Sequence, residues 1–266
     1  MSVRAQQFVA DVVRRERVSP HLVRLTLGGP GLAGFASTGV PDEWVGLVVP
    51  GQFQSRYYTV RSFDGAELVL DVVVHAVGLV TEWALGGAGD PVGQQVTITE
   101  PKGSFDVPED AGWLLLVGDL TALPAMARIA EAHVGRLPVH VHAEAADLPE
   151  ELAAYLPDGV EVSWTAPGED GGSRLAEIVE GLAWPDGPGY FWMAGESAQM
   201  RAIRKHLMRE RKMPSTHYDV MGYWRAVKER QPRAVDPGPI WRAGKAAGKS
   251  DEQIWADYDE ARAKAE

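Results

Sequence analysis

The 266-residue chain contains no cysteine. Disulfides, thiol nucleophiles, dithiol redox pairs and cysteine-ligated iron–sulfur clusters are therefore excluded. The seven histidines show no spacing that is typical of a metal site, and we expect no bound metal. If the protein performs redox chemistry, its electrons must pass through a bound organic cofactor.

The chain also lacks an apolar run long enough to cross a bilayer, and its first residues lack the basic-then-apolar order of a signal peptide. We therefore expect a cytoplasmic protein without membrane insertion, and a monomer. The hydrophobic fraction of 45% and the charged fraction of 24% are ordinary for a globular protein.

Positive charge is scarce over most of the chain. The net charge of −11 argues against nucleic acid as the main partner. Residues 201–249 are the exception, with thirteen Lys or Arg against four Asp or Glu. This basic segment indicates either an anionic ligand or a solvated helix face followed by a loose tail.

The first hundred residues have the pattern of an antiparallel barrel. Six short apolar or β-branched segments are separated by glycine-containing turns. The predicted strands cover residues 8–15, 22–27, 43–49, 55–61, 67–74 and 95–99. One short helix is predicted around residues 81–84, with Thr81 as its N-cap.

From Gly112 onward strands and helices alternate, which predicts a parallel sheet with crossover helices. The predicted strand–helix pairs are 113–117 with 121–133, 139–143 with 148–156, 160–165 with 173–181, and 190–194 with 197–212. Ser197 is the expected N-cap of the last helix. We predict a barrel domain over residues 1–106 and an α/β domain over 107–266, which includes a C-terminal extension from about residue 225.

The segment from Arg56 to Arg61 has the pattern R-x-Y-T-x-R. Since side chains alternate along a strand, one face carries Arg56, Tyr58 and Val60, and the other carries Tyr57, Thr59 and Arg61. A flavin needs a cation for its pyrophosphate, an aromatic ring against its isoalloxazine and a hydroxyl near N5. An ordinary strand is the alternative, because tyrosine, threonine and valine all favour strands.

The next segment runs through Asp71, Val73 and His75 and ends in a glycine turn at Gly78. This turn is predicted to open a helix that has Thr81 as its N-cap, and Val80 lies in the turn. Because a helix N-terminus presents unpaired N–H groups and partial positive charge, it can bind a phosphate. A structural histidine is the alternative for His75.

Three later segments complete an ordered set: Pro101-Lys102-Gly103-Ser104-Phe105, Gly118-Asp119-Leu120-Thr121-Ala122, and Ala194-Gly195-Glu196 followed by Gly222-Tyr223-Trp224-Arg225. Over roughly residues 5–225 the chain resembles the siderophore-interacting protein family of the ferredoxin-reductase superfamily. It departs from the family pattern at Glu100, where glycine is usual, and at Leu120, where an acidic residue is usual.

The resemblance implies a fold of the class β-barrel plus α/β, with a six-stranded antiparallel flavin-binding barrel before a parallel-sheet nucleotide-binding domain. It implies FAD as the cofactor and NADH or NADPH as the electron donor. The implied activity is reduction of Fe(III) in a siderophore, which releases Fe(II) for iron assimilation. Two alternatives stay open: a non-catalytic siderophore-binding protein, and a flavoprotein reductase that takes electrons from a ferredoxin or reduces other ferric chelates.

The predicted FAD-binding residues are Arg56, Tyr57, Tyr58, Thr59, Val60, Arg61, Asp71, Val73, His75, Gly78, Val80 and Thr81. The nicotinamide nucleotide is predicted at the carboxyl ends of strands, where ligands of open parallel sheets bind. The residues there are Gly118, Asp119, Thr121, Ala122, Gly195 and Glu196. Acidic residues after the second and third strands of the sheet favour NADH, because they repel a 2′-phosphate.

Thr59, Tyr223 and Trp224 are the predicted catalytic positions. The segment that contains Tyr223 and Trp224 follows the last predicted sheet element and is expected to cover the flavin. Packing between the domains is the alternative for Trp224. The basic residues that follow, Arg225, Lys228, Arg230 and Arg233, are predicted to attract an anionic ferric siderophore.

Overall fold

The computed structural model describes residues 6–52, 54–74, 78–87, 89–146 and 149–225, with residues 240, 243, 244, 247–249, 253, 254, 257 and 260. The chain divides into two compact units, Met1–Arg225 and Ala226–Glu266. In the second unit, the described residues include a buried Ile254 and an ion pair of 2.6 Å between Lys249 Nζ and Asp257 Oδ2.

A closed antiparallel barrel forms the N-terminal half, as the sequence predicted. Its strands are β1 (Gln7–Ser19), β2 (Leu22–Gly28), β3 (Trp44–Val48), β4 (Arg56–Phe63), β5 (Leu68–Val73) and β6 (Gln95–Thr99). They follow one another around the barrel in the order β1, β2, β5, β4, β3 and β6. The alternate residues that point inward, such as Leu25, Leu47, Leu70 and Ile98, are fully buried. Their removal from water is the main stabilising force of this half.

Helix α1 (Leu79–Ala84) follows β5 and packs against the barrel core. Trp83 packs into the barrel core, and its Nε1 donates to Gln94 Oε1 at 2.9 Å. The expectation that Thr81 caps this helix is wrong. The cap position is Gly78, and Thr81 is the third residue of the helix. Its hydroxyl donates to the Val73 carbonyl at 3.4 Å.

A five-stranded parallel sheet forms the other half. Its strands are β7 (Leu114–Asp119), β8 (Val139–Glu144), β9 (Glu161–Thr165), β10 (Tyr190–Glu196) and β11 (Tyr218–Trp224), in the order β11, β10, β7, β8 and β9. The parallel sheet is confirmed, but the sequence predicted four strands. Residues 222–224 do not follow the last strand, since they belong to the edge strand β11. Its tyrosines, valine and tryptophan favour a strand, but the local pattern does not alternate cleanly.

Helices cover both faces of the sheet. Helix α2 (Leu123–His133) packs on the face that meets the barrel, and α4 (Leu175–Gly181) and α5 (Gln199–His206) pack on the opposite face. The helix predicted over residues 148–156 is shorter. It consists of α3 (Pro149–Leu152) and a 3₁₀ turn at Ala153–Tyr155.

The last helix differs from its prediction at both ends. It begins after Ala198 without a side-chain cap, because the Ser197 hydroxyl donates instead to the Trp224 carbonyl at 2.7 Å. After His206 it continues as a π-helical turn over Leu207–Arg211. Among the described residues, no helix combines the length and the apolar character that crossing a bilayer requires.

Candidate cofactor site

Strand β4 presents an open cation and an open aromatic ring on the barrel surface. Tyr57 is 70% exposed, and Arg56 is exposed as well. Within the described ranges, the Arg56 guanidinium has no carboxylate partner and only a 3.5 Å contact with the Ser55 carbonyl. An open guanidinium can bind a phosphate, and an open aromatic ring can stack on an aromatic system of a ligand.

The alternation predicted for β4 is visible from Tyr58 to Val60, and the pairing with β5 becomes irregular between Val60 and Ser62. Val60 is fully buried in the barrel core, and Tyr58 packs against the same core. Burial raises the pKa of Tyr58 to about 12. Thr59 points the other way, toward the sheet, and is 5% exposed. The strand therefore joins the barrel core to the contact between the two halves.

Tyr223 of β11 reaches Thr59 across that contact. Its ring packs edge-on against Trp192, with the centroids 6.4 Å apart. Burial raises the pKa of the Tyr223 hydroxyl, and the nearby Thr59 side chain offsets part of this shift. No hydrogen bond of ordinary geometry reaches this hydroxyl from the part of the chain that is described. A buried hydroxyl in that condition can bind a polar atom of a ligand.

The start of α1 lies beside the end of β5 and is open to solvent. Leu79, its first residue, is 45% exposed, whereas Val80 and Thr81 are buried. The first N–H groups of a helix have no partner within the helix. This end can therefore receive an anionic group. His75 lies outside the described residues.

Two residues predicted to bind the cofactor, Asp71 and Arg61, are paired with other side chains of the protein. The Asp71 carboxylate is 3% exposed and accepts two hydrogen bonds of 2.8 Å from the Arg24 guanidinium. It also accepts the hydroxyl proton of Tyr155 from the sheet half. Arg61 donates to both carboxylate oxygens of Glu131 on α2, at 3.0 and 2.5 Å.

The structure brings together the residues predicted at the carboxyl edge of the sheet. Asp119, at the end of β7, accepts hydrogen bonds from the backbone N–H and the hydroxyl of Thr121. Its other oxygen accepts the Trp224 indole N–H at 2.6 Å. Burial raises the pKa of Asp119, and these hydrogen bonds oppose the shift. Trp224 thus spans the edge from β11 to β7, across the end of β10.

Glycines at this edge allow close packing within the protein. A Cβ on Gly118 would lie 2.5 Å from the Cβ of Ala122, at the start of α2. Gly195 has a φ of +155°, and a Cβ there would lie 2.6 Å from Asp119 Oδ2. The sequence suggested glycine for approach of a ligand, whereas the described contacts explain both glycines by strand and helix packing.

The acidic residues expected to favour NADH are only partly available. Glu144, at the end of β8, is 4% exposed and accepts the backbone N–H of Arg174 at 2.5 Å. Its carboxylate therefore stabilises the loop before α4. Glu169 and Asp170, after β9, are exposed. Glu196, at the end of β10, is buried and accepts the Ala198 N–H at 2.7 Å.

Arg225 follows β11 directly and is exposed. The other predicted substrate-binding residues, Lys228, Arg230 and Arg233, lie outside the described residues.

The sequence did not predict a group of polar contacts between the two halves. The Ser104 hydroxyl, in the connection after β6, lies 3.0 Å from Asp42 Oδ2 and 2.8 Å from Asp219 Oδ2. Asp42 precedes β3 in the barrel, and Asp219 belongs to β11. The Pro101–Phe105 segment was noticed as a motif, but nothing in the sequence identified its two acidic partners.

Comparison with known proteins agrees with this architecture. The family model described as "Siderophore-interacting FAD-binding domain" matches residues 11–55 and 51–105, and the one described as "Siderophore-interacting protein" matches residues 111–227. The solved structure of a siderophore utilization protein from T. fusca superposes with a TM-score of 0.69 at 30% identity. The match covers 88% of this chain and 97% of that one.

Three curated relatives align over most of their length. An uncharacterised protein of Mycobacterium tuberculosis is 30% identical, with 81% of this chain and 89% of that protein covered. Ferric vibriobactin reductase of Vibrio cholerae is 27% identical over 83% and 90% of the two chains. The NADPH-dependent ferric-chelate reductase of Escherichia coli is 28% identical over 81% and 91%. On these matches and the fold they share, this chain belongs to the siderophore-interacting protein family.

Proposed function

We propose that this chain is an FAD-dependent reductase of ferric siderophores that takes its electrons from a nicotinamide nucleotide. The observation that carries the proposal is the β4 surface. On this strand the Arg56 guanidinium has no carboxylate partner among the described residues, Tyr57 is exposed, and Thr59 contacts Tyr223 of β11. This surface lies in the half that matches the FAD-binding family model. Relatives named as a ferric vibriobactin reductase and a ferric-chelate reductase support the substrate class.

The roles of the barrel residues follow from their positions. Arg56 and the first N–H groups of α1 would bind the pyrophosphate, since both are open and carry positive charge. Tyr57 offers the exposed ring for stacking. Thr59 and Tyr223 would meet the polar edge of the isoalloxazine and keep water away from it. Bound FAD can accept two electrons and release them singly, which reduction of Fe(III) to Fe(II) requires.

We place the nicotinamide nucleotide at the carboxyl edge of the sheet, near Asp119 and Gly195. Trp224 covers this edge through its hydrogen bond to Asp119, so it must shift for a nucleotide to bind there. Glu144 is buried and already accepts the Arg174 N–H, which weakens one reason to favour NADH. Glu169 and Asp170 are exposed and would repel the 2′-phosphate of NADPH, so NADH stays the predicted donor. NADPH is the donor named for the Escherichia coli relative.

For the substrate, we propose an anionic ferric siderophore guided by positive charge after β11. Arg225 is exposed at the start of this segment, and Lys228, Arg230 and Arg233 follow in the sequence. Fe(II) binds hard oxygen ligands more weakly than Fe(III), so reduction releases the metal. A cytoplasmic location, a monomeric state and an alternative ferredoxin donor stay predictions.

The test is an anaerobic stopped-flow experiment on the purified chain loaded with FAD. We expect the flavin absorbance to bleach with NADH or NADPH, and to recover when a ferric siderophore is added. A ferrous-specific chelator should then report Fe(II). A chain that binds ferric siderophore but no flavin would support the non-catalytic alternative. A flavin that neither nucleotide reduces, but a reduced ferredoxin does, would support the other.

A further inference from the structure

Tyr155 inserts from the sheet half into the wall of the barrel. It lies in the 3₁₀ turn Ala153–Tyr155 and is 7% exposed. Its hydroxyl donates to Asp71 Oδ2 on β5. The guanidinium carbons of Arg24 on β2 and Arg61 on β4 lie 5.9 and 5.4 Å from its ring centre. One side chain therefore contacts three neighbouring barrel strands.

The charges around this tyrosine hold it in a single orientation. Arg24 and Asp71 stand opposite each other in the β2–β5 ladder and form a bidentate ion pair. The Asp71 carboxylate is completely buried, and a buried charge is costly unless it is hydrogen-bonded. The Tyr155 hydroxyl donates to it from the sheet half, in addition to the hydrogen bonds from Arg24. Burial and the charge of Asp71 raise the pKa of Tyr155 above its ordinary value, and the protonated hydroxyl donates to Asp71.

The same contact is tied to the residues proposed to meet the flavin. Arg61, beside the Tyr155 ring, is also held by Glu131 of α2. Thr59 lies two residues earlier on β4 and meets Tyr223 of β11, and the pairing of β4 with β5 is irregular between Val60 and Ser62. Because only Val60 separates Arg61 from Thr59 along β4, a displacement of the strand at Arg61 would move Thr59 relative to Tyr223.

We propose that Asp71 and Tyr155 are positioning residues. Their hydrogen bond holds the sheet half against the barrel, and so aligns the proposed nucleotide site at the carboxyl edge of the sheet with the flavin. Asp71 then acts on the reaction through Tyr155, and its predicted role as a cofactor contact is replaced. This inference rests on the proposed function. Small misalignments of reacting groups are expensive, so loss of the fastening should slow electron transfer by about ten- to a hundredfold.

The first test measures the arrangement of the two halves without any cofactor. Because the chain has no cysteine, Val13→Cys on β1 and Met208→Cys in the π-helical turn give two exposed and unique spin-label sites. We expect one narrow distance distribution in the otherwise unchanged chain and a broader one in Tyr155→Phe. Tyr218→Phe, on the sheet face away from the barrel, is the matched control and should leave the distribution narrow. An unchanged distribution in Tyr155→Phe would overturn the proposal.

The second test separates fastening from cofactor binding. Asp71→Asn keeps the side-chain shape and still accepts the Tyr155 hydroxyl, and Tyr155→Phe keeps the ring. In both variants we expect FAD affinity within about twofold of the parent. In Tyr155→Phe, the rate of flavin reduction at saturating NADPH should fall, while the NADPH concentration for half saturation stays unchanged. A strong loss of FAD affinity in either variant would return Asp71 to the cofactor site and overturn the proposal.

These outcomes are distinct from failure of the proposed function. If the unchanged chain binds no FAD, or neither nucleotide reduces it, the function is wrong. The spin-label comparison then still decides whether Tyr155 fastens the two halves.

Discussion

Replacing Asp219 with asparagine should stabilise this protein at neutral and alkaline pH. Asp219 and the fully buried Asp42 both contact the Ser104 hydroxyl, at 2.8 and 3.0 Å. Asp42 also accepts the backbone N–H groups of Ser104 and Phe105 at 2.9 and 3.0 Å. A hydroxyl has one hydrogen, so it can donate to only one of the two carboxylates. The other contact becomes favourable only when that carboxyl carries a proton.

Asp219 is the group that we expect to hold this proton. Burial and the charge of Asp42 raise its pKa, and the hydrogen bond from Ser104 opposes the shift. A carboxyl with a raised pKa in the folded state stabilises the fold below its unfolded pKa of about 4. That contribution is lost as the pH rises toward the folded pKa. An asparagine amide can donate to the Ser104 hydroxyl oxygen at every pH. Asp219→Asn should therefore remove the loss of stability that accompanies deprotonation of Asp219.

The expected magnitude is that of one hydrogen bond, about 1 kcal/mol. Asp219 is half-buried, and solvent screening limits any further gain from removing its charge. We therefore expect Asp219→Asn to raise the free energy of unfolding by about 1 kcal/mol at pH 8 and to leave it nearly unchanged at pH 4. In a chain of this length this corresponds to a rise in Tm of about 2 °C.

The assay is thermal unfolding of the FAD-free chain between pH 4 and pH 8, followed by tryptophan fluorescence. Asp158→Asn is the matched control, since Asp158 is an exposed acid in a turn. Asp158→Asn should change the melting temperature only slightly, and by the same amount at every pH. If the melting curves of Asp219→Asn and the parent stay parallel across the pH range, or if the variant is less stable at pH 8, the shared-proton argument is wrong.

Three further predictions concern the proposed activity. Arg56→Ala should weaken FAD binding by about ten- to a hundredfold, because a charge-assisted hydrogen bond is lost; unchanged affinity by fluorescence titration would contradict the placement of the pyrophosphate. Gly195→Val should slow flavin reduction by NADPH in stopped flow while FAD stays bound, and a parental rate would place the nucleotide elsewhere. Neutralising three basic residues together should slow reduction of an anionic ferric siderophore, less so at high salt, and spare a neutral hydroxamate complex. The three residues to be neutralised are Lys228, Arg230 and Arg233. Equal effects on the anionic and the neutral substrate would refute this last prediction.

Much of the fold was predictable because its signals are local. Strand alternation and glycine turns identified all six barrel strands, and the alternation of strands and helices identified the parallel sheet. Strand β11 was missed, since its seven residues carry a glycine and no regular apolar pattern. The helix caps at Thr81 and Ser197 were wrong for a related reason. Each hydroxyl found a backbone carbonyl outside its own helix, at Val73 and Trp224 respectively.

By itself, the sequence determined the family and the residue types that are available for its chemistry. The absence of cysteine, the R-x-Y-T-x-R strand and the two strand-to-helix turns follow from residue identity and short-range spacing. Only the tertiary structure decided what each side chain contacts. Asp71 pairs with Tyr155, 84 residues away, and Arg61 pairs with Glu131, 70 residues away. Residues so far apart meet only because the two halves pack together, and periodicity along one segment cannot encode a contact with another.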